Sequence, residues 1–135
     1  MRLSAIAISL LLAFGVWGGT SVSQELKFSE TAPSGDPVRG AEVYEANCTG
    51  CHSLDANRIG PAHRGVVGRV AGTAAGYTYS PNLKASGVTW TPAMLDKWLT
   101  NPQALMKGTR MGFRLQDAKA RADVIAYLAK EGSGE

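Results

Sequence analysis

The segment Cys48-Thr49-Gly50-Cys51-His52 constrains the chemistry of this 135-residue chain more than any other part of the sequence. It contains both cysteines of the chain, and a histidine follows the second one directly. Two cysteines at this spacing also occur in redox dithiols and in zinc sites, but the sequence has no second cysteine pair to complete a zinc site. The adjoining histidine is instead the signature of covalent c-type haem attachment. We therefore predict one haem c, bonded through Cys48 and Cys51.

The same segment predicts the first ligand of the haem iron. Two thiols three residues apart, on one turn of chain, can each bond one vinyl group of the same porphyrin. The residue that follows the second thiol then projects toward the iron, so His52 is the predicted axial ligand. The second axial ligand must come from elsewhere in the sequence.

The amino terminus has the layout of an export signal. Arg2 precedes an apolar run over residues 3–17, and small residues follow up to Ser23. We predict a signal peptide over residues 1–23, cleaved before Gln24, and a periplasmic location. The alternative is a retained anchor, although the apolar run is shorter than the ~20 residues that a spanning helix needs. Export usually favours a disulfide between paired cysteines, but the spacing and His52 favour haem attachment.

The remaining sequence indicates one helical domain over residues 36–135. Residues 24–35 are polar and carry no periodicity, so they form a predicted flexible lead-in. The first helix is predicted to begin at Asp36-Pro37 and to deliver Cys48, and the second to run from Thr91-Pro92 to Asn101-Pro102. The third is predicted to begin at Asp117 and to stop at Gly132. The fold class is therefore all-α, with about three main helices.

Apolar residues recur at helical spacing in each predicted helix, and these residues are the predicted core. They are Val38, Ala41, Val43 and Tyr44 in the first helix, Met94, Leu95, Trp98 and Leu99 in the second, and Val124, Ile125 and Leu128 in the third. Residues 57–86 are rich in glycine and are predicted to form loops rather than strands. Such loops are tolerable around a cofactor, because a haem itself supplies core.

Several motifs stand in a fixed order between Gly40 and Leu128. They are Gly40 with Tyr44, Cys48-Thr49-Gly50-Cys51-His52, Gly60-Pro61, Gly65-Val66-Val67-Gly68-Arg69, Gly76-Tyr77-Thr78-Tyr79-Ser80, Gly87-Val88-Thr89-Trp90, Asn101-Pro102, Gly108-Thr109-Arg110-Met111 and Arg121-Ala122-Asp123-Val124-Ile125-Ala126-Tyr127-Leu128. With these motifs the sequence resembles the class I cytochromes c of the soluble mitochondrial and bacterial type. The resemblance implies the class I cytochrome c fold, wrapped around one covalently bound haem. It also implies that the first and last helices cross where Gly40 and Tyr44 meet Ile125 and Tyr127.

The resemblance assigns further residues to the haem. It implies that Met111 is the sixth iron ligand and that the Pro61 carbonyl accepts a hydrogen bond from the ligand histidine. Tyr79 and Trp90 match residues that hydrogen-bond a buried haem propionate, and Arg69 matches a nearby positive charge. Trp98 falls where many relatives carry a tyrosine near the methionine sulfur.

Three positions depart from the family pattern. Lys107 replaces a proline that often precedes the Gly-Thr turn, so we expect a less rigid methionine loop. Leu83 stands where many relatives have an asparagine near the propionates. His63 stands where an apolar residue usually flanks the haem.

Other residues compete for the roles named above. Met94 and Met106 also carry thioethers, but their positions favour core or loop packing. His63 is the only other histidine, and because it follows His52 by only 11 residues we expect it on the same side of the haem, as a partly exposed polar side chain rather than a ligand. Without the resemblance, Tyr79, Trp90 and Trp98 are ordinary core aromatics.

The charge pattern bears on the partners. The formal net charge is +3 at pH 7, yet residues 58–114 carry eight basic side chains and a single acid, Asp96. We expect this stretch to frame the haem opening and to present a positive face to acidic protein partners. The alternative is a solvated surface with scattered charges. The exported location disfavours nucleic acid as a partner.

A histidine and methionine pair leaves the iron no open position for a substrate and raises its reduction potential. We therefore expect a monomeric one-electron carrier, not an enzyme, without a membrane span after cleavage. Its expected donor is a quinol-oxidising complex or a dehydrogenase, and its expected acceptor is an oxidase, a peroxidase or a photosynthetic centre. One alternative is a haem peroxidase or gas-binding protein with an open sixth site. Another is a fixed haem subunit of a dehydrogenase complex.

Overall fold

The computed structural model describes residues 34–133, which form five helices joined by irregular segments. These are α1 (Pro37–Asn47), α2 (Pro81–Lys84), α3 (Pro92–Thr100), α4 (Pro102–Leu105) and α5 (Ala118–Ser133). One isolated antiparallel bridge pairs Val70 with Thr89. The predicted signal peptide at 1–23 lies outside the described residues, as does the predicted lead-in up to residue 33. None of the five helices has the length and apolar character needed to cross a membrane.

The three main helices begin where the sequence predicts. The Asp36 carboxylate accepts a hydrogen bond from the Val38 amide at 2.8 Å and caps α1. The Thr91 hydroxyl accepts one from the Met94 amide at 3.1 Å and caps α3 in the same way. Asp117 precedes α5 and its carboxylate accepts from the Ala120 amide at 2.9 Å. Side-chain caps and a proline at the first helical position therefore set the starts of α1 and α3.

The predicted stop at Gly132 is wrong, because α5 continues through Gly132 to Ser133. Gly132 does not end the helix; it allows another segment of the chain to pack closely against it. A Cβ built at Gly132 would lie 3.1 Å from Gly65 Cα, so the absence of a side chain lets the end of α5 approach the loop at Gly65.

The short helices α2 and α4 lie where the sequence predicted loops or a helix end. Each has four residues and begins with a proline, and the Asn101 side chain caps α4 by accepting from the Ala104 amide at 3.2 Å. A single helical turn is too short to show an apolar period, which is why the pattern did not reveal either one. Residues 57–80 are irregular, as predicted.

The core forms where α1 crosses α5 and where α3 packs against α5. Its buried residues include Tyr44, Leu95, Trp98, Leu99, Val124, Ile125 and Leu128, as predicted. A Cβ at Gly40 would lie 2.0 Å from the Asp123 carbonyl oxygen, so the two backbones are in direct contact there.

Four of the predicted core positions are not fully buried. Val38 is 70% exposed, because it lies about 200° around α1 from Gly40 at 100° per residue. Ala41, Val43 and Met94 are only partly buried.

Asp123 ties the start of the domain to its last helix. Its side chain is buried, and its carboxylate accepts hydrogen bonds from the Asp36 amide at 2.7 Å, from Arg39 Nε at 3.0 Å and from Lys119 Nζ at 2.8 Å. The hydrogen bonds from Arg39, the Asp36 amide and Lys119 hold the pKa of this carboxyl far below its usual range. The charged form therefore stabilises the folded state.

We expect Asp123→Asn to lower the melting temperature of the haem-loaded protein at pH 7 by several degrees. The folded pKa of Asp123 lies below the unfolded value of about 3.9, so its stabilisation is present above about pH 4 and is lost as the pH falls further. The variant and the wild type should therefore converge in thermal melts at low pH.

Asp55→Asn is the matched control, because Asp55 is an exposed acid that pairs with the exposed Arg64. Its effect on the melting temperature should be smaller. Equal melting temperatures of Asp123→Asn and the wild type at pH 7 would mean that this cluster contributes nothing to stability.

Candidate functional site

A cavity of about 390 Å³ lies between the first loop and helix α3, and its wall is mostly apolar. All seven predicted site residues line this one cavity: Cys48, Cys51, His52, Arg69, Tyr79, Trp90 and Met111. Buried residues of the core, among them Leu95, Leu99, Val124 and Leu128, form part of the same wall. The volume and the apolar lining are those of a site for a sizeable organic ligand.

The cysteine segment forms a turn directly after α1. The amides of Cys51 and His52 both donate to the Cys48 carbonyl, at 3.0 Å and 2.9 Å. The turn places both thiols at the cavity, with Cys48 half-buried and Cys51 exposed, and the two sulfurs are not joined. Burial raises the pKa of the Cys48 thiol to about 11.

The His52 ring is held in one orientation. Its Nδ1 lies 2.8 Å from the Pro61 carbonyl oxygen, which places the ring proton on Nδ1 and leaves Nε2 with a lone pair. Burial lowers the pKa of His52, so the neutral form that binds a metal is favoured. Gly60 allows this arrangement, because a Cβ there would lie 2.0 Å from the ring carbon Cε1 of His52. A neutral imidazole with a free Nε2 is suited to bind iron.

His63 packs against His52, a contact that the sequence analysis did not predict. The two rings stack with their centroids 3.9 Å apart and their planes 20° apart. Burial, together with the nearby His52 and Arg69, lowers the pKa of His63 to about 3, so it is neutral at pH 7. The expectation that His63 stays on the same side as His52 agrees with this contact. The only signal in the sequence was the short spacing across Gly60-Pro61.

Met111 reaches the cavity from the loop that follows α4. Trp98 of α3 donates a hydrogen bond from Nε1 to the Met111 sulfur at 3.2 Å, so the tryptophan occupies the place next to the sulfur that the resemblance implied. Met94 and Met106 are partly buried against the core and do not line the cavity. Among the four methionines, Met111 is thus the one whose described position offers sulfur to the cavity, since Met1 lies outside the described residues.

Arg69, Tyr79 and Trp90 lie together at another part of the wall. The Arg69 guanidinium donates to the Ala62 carbonyl at 2.8 Å, and the Tyr79 hydroxyl accepts from the Ala74 amide at 3.2 Å. No carboxylate in residues 34–133 lies within ion-pair distance of Arg69. An unneutralised guanidinium at a cavity wall is suited to a ligand that carries carboxylates.

The basic residues between 58 and 114 do not all contribute a free charge. Arg64 pairs with Asp55 and with Glu131 at 2.9 Å, so its charge is offset. Arg110 lines the cavity, and Arg58 donates to the Thr49 carbonyl at 2.6 Å, inside the cysteine segment. Of the basic residues in this stretch, Arg69 and Arg110 therefore line the cavity, and Arg58 contacts the cysteine segment next to it.

A haem fits these features. Two thiols on one turn, an imidazole with a free Nε2 and a thioether all face one apolar cavity, and these are the groups that attach haem c and complete its axial coordination. No cluster of three or more histidine, cysteine, aspartate or glutamate side chains suited to a metal ion occurs in the part of the chain that the structure describes.

Comparison with known proteins finds relatives of a single family. A family model described as cytochrome c matches residues 37–131. Cytochrome c2 of Rhodopila globiformis is 45% identical over 101 residues, which cover 73% of this chain and 95% of that protein. Cytochrome c2 of Rhodomicrobium vannielii is 38% identical over 133 residues, covering 96% of this chain and 98% of that protein. The solved structure of cytochrome cH from Methylobacterium extorquens matches with a TM-score of 0.68 and 41% identity, covering 71% of this chain and 99% of that chain.

Proposed function

Since the chain belongs to the cytochrome c family, has the class I fold and binds one covalent haem c, we propose that it is a periplasmic one-electron carrier whose iron is ligated by His52 and Met111. The observation that carries this proposal is that the His52 ring and the Met111 sulfur reach the same cavity. The haem supplies the one-electron couple of its iron. The family consists of electron carriers, and the contacts that hold His52 and Met111 suit that role.

The protein's own contribution is to hold both ligands in place during electron exchange. The Pro61 carbonyl fixes the His52 ring, and Trp98 fixes the Met111 sulfur. Ligands that do not move keep the reorganisation that accompanies electron transfer small, and they leave no position for a substrate. The same contacts disfavour the alternative of a peroxidase or a gas-binding protein, which needs an open sixth position.

We further propose that Arg69, Tyr79 and Trp90 contact the haem propionates. Arg69 carries a charge that no described carboxylate offsets, and all three side chains line the cavity. A propionate beside Arg69 would find the positive charge that makes its burial tolerable.

The proposed partners are redox proteins with acidic docking surfaces. A quinol-oxidising complex or a dehydrogenase would supply the electron, and an oxidase, a peroxidase or a photosynthetic centre would accept it. Relatives named cytochrome c2 support an electron carrier of this type. The export signal proposed for residues 1–23 would place the exchange in the periplasm.

We expect Arg110→Glu to slow electron exchange with an acidic partner about 10-fold at low ionic strength. Arg110 lines the cavity and its side chain is exposed, so reversing its charge weakens the field that steers the encounter. Stopped-flow measurement of the bimolecular rate constant, repeated at rising salt, checks this. The difference should shrink as the salt screens the charges.

Lys130→Glu is the matched control. Lys130 is an exposed cation in the last turn of α5 and does not line the cavity, so its reversal should have a much smaller effect. Equal slowing by both variants would place the docking face elsewhere. Rate constants that do not respond to salt would indicate apolar docking.

A further inference from the structure

The Gln103 side chain makes three hydrogen bonds with the backbone of the loop that carries Met111. Its Nε2 donates to the Thr109 carbonyl at 2.5 Å and to the Met111 carbonyl at 3.3 Å. Its Oε1 accepts from the Gly108 amide at 3.3 Å. One amide group therefore joins the beginning of the Gly108–Met111 turn to its end.

The short helix that carries Gln103 is itself held in place. Gln103 belongs to α4, whose first residue, Pro102, is among the most buried side chains of the protein. Asn101 caps the same turn, and next to it the Leu99 carbonyl accepts a hydrogen bond from the Leu115 amide at 2.8 Å. These contacts fix the backbone from which the Gln103 side chain reaches the loop.

The other side-chain hydrogen bonds of the loop each join one point of it. Trp98 donates to the Met111 sulfur at 3.2 Å and so holds the side chain of Met111 rather than the backbone of the turn. Asn82 donates to the Lys107 carbonyl at 2.7 Å, and Arg110 donates to the Thr78 carbonyl at 3.0 Å. The bonds from Asn82 and Arg110 are exposed, whereas those from Gln103 to Thr109 and Met111 are partly buried. Gly108 has φ +84°, so the turn also needs a left-handed residue at the point where Gln103 accepts its hydrogen bond.

From this geometry we propose that Gln103 is the positioning residue that keeps the methionine loop closed over the haem, and so excludes external ligands from the iron. The inference rests on the proposed role of Met111 as the sixth ligand. Gln103 does not touch the iron; it acts through the backbone of residues 108–111. Its hydrogen bonds would supply the rigidity that the turn loses because Lys107 replaces the proline expected from the family pattern.

The test compares Gln103→Leu and Gln103→Glu with the wild type, all loaded with haem. Leucine removes all three hydrogen bonds. Glutamate keeps an acceptor for the Gly108 amide but loses the donor to the Thr109 and Met111 carbonyls. We expect both variants to bind cyanide in the ferric state about 10- to 100-fold faster than the wild type, because each loses the two partly buried hydrogen bonds that hold the loop shut.

Gln116→Leu is the matched control, because Gln116 is exposed and its side chain makes no hydrogen bond among residues 34–133. It should bind cyanide at the wild-type rate. A second readout is amide hydrogen exchange in the wild type and the variants. The Gly108 amide should be protected in the wild type and exchange faster in both Gln103 variants, while the Val124 amide in α5 keeps its protection.

Cyanide binding within twofold of the wild type in both variants would overturn the proposal, and so would equal loss of protection at Gly108 and Val124, which indicates general destabilisation. If the variants do not accumulate, the wild type decides, because an unprotected Gly108 amide would also overturn it. Failure of the proposed function looks different: the wild type itself would lack the far-red charge-transfer band of methionine ligation and bind carbon monoxide rapidly.

Discussion

Met111→Ala should open the haem iron to carbon monoxide, which the reduced wild type should resist. The variant loses the one thioether that the described structure places at the cavity, and alanine offers no atom that binds iron. A sixth position that is closed 99% of the time gains about 100-fold in apparent affinity for an external ligand when it is always open. The ferric variant should also lose the far-red charge-transfer band and have a lower reduction potential.

Carbon monoxide titration of the reduced protein and the absorption spectrum of the ferric protein measure these effects. Met106→Ala is the control, because Met106 is partly buried outside the cavity and should leave both properties unchanged. A wild-type protein that is already high-spin and binds carbon monoxide rapidly would instead favour the peroxidase or gas-binding alternative.

Gly40→Ala should prevent the stable crossing of α1 and α5. The added Cβ would lie 2.0 Å from the Asp123 carbonyl oxygen and 2.7 Å from Tyr127 Cβ, and the first of these is a backbone atom that only a helix shift can move. Overpacking of this kind costs about 3 kcal/mol or more, a large part of the stability of a domain of this size. Urea denaturation of the haem-loaded protein, or its yield if it does not accumulate, measures the loss.

Gly50→Ala gives the matched comparison, since a Cβ at Gly50 would meet nothing within 4 Å. It should have almost the stability of the wild type. A Gly40→Ala protein as stable as Gly50→Ala would show that α1 and α5 can separate without cost.

Much of the fold follows from local signals in the sequence. The starts of α1 and α3 are predicted by two pairs of residues, Asp36 with Pro37 and Thr91 with Pro92, because capping depends only on residues within one turn. The cysteine segment likewise needs no distant information. The four-residue helices α2 and α4, in contrast, are too short to show a periodic pattern of apolar residues. The exposure of Val38 was not predicted either, because it depends on which side of α1 packs against α5.

The residues that line the site were predicted, but several contacts between them were not, because those contacts depend on distant parts of the chain. The seven predicted residues line one cavity, and most of those assignments came from motif order rather than from physical pattern. The stacking of His63 on His52 and the bonds from Gln103 to the methionine loop were not predicted. Both are contacts between side chains and irregular backbone, for which the sequence has no repeating signal. The charge of Arg64, counted in the positive stretch, is offset by Asp55 and Glu131, and the latter is 67 residues away.

The crossing of α1 with α5 also bears on the order of events during biosynthesis. The hydrogen bond between the Asp36 amide and Asp123 closes a span of 87 residues, so α1 gains its packing partner only after nearly the whole domain has been synthesised. The cysteine segment directly follows α1 and therefore emerges long before the helix that buries Tyr44 beside it. Until α5 docks, both thiols therefore lie on a chain that is still open. A haem bonded at this stage would be present when α5 docks and adds Val124 and Leu128 to the cavity wall.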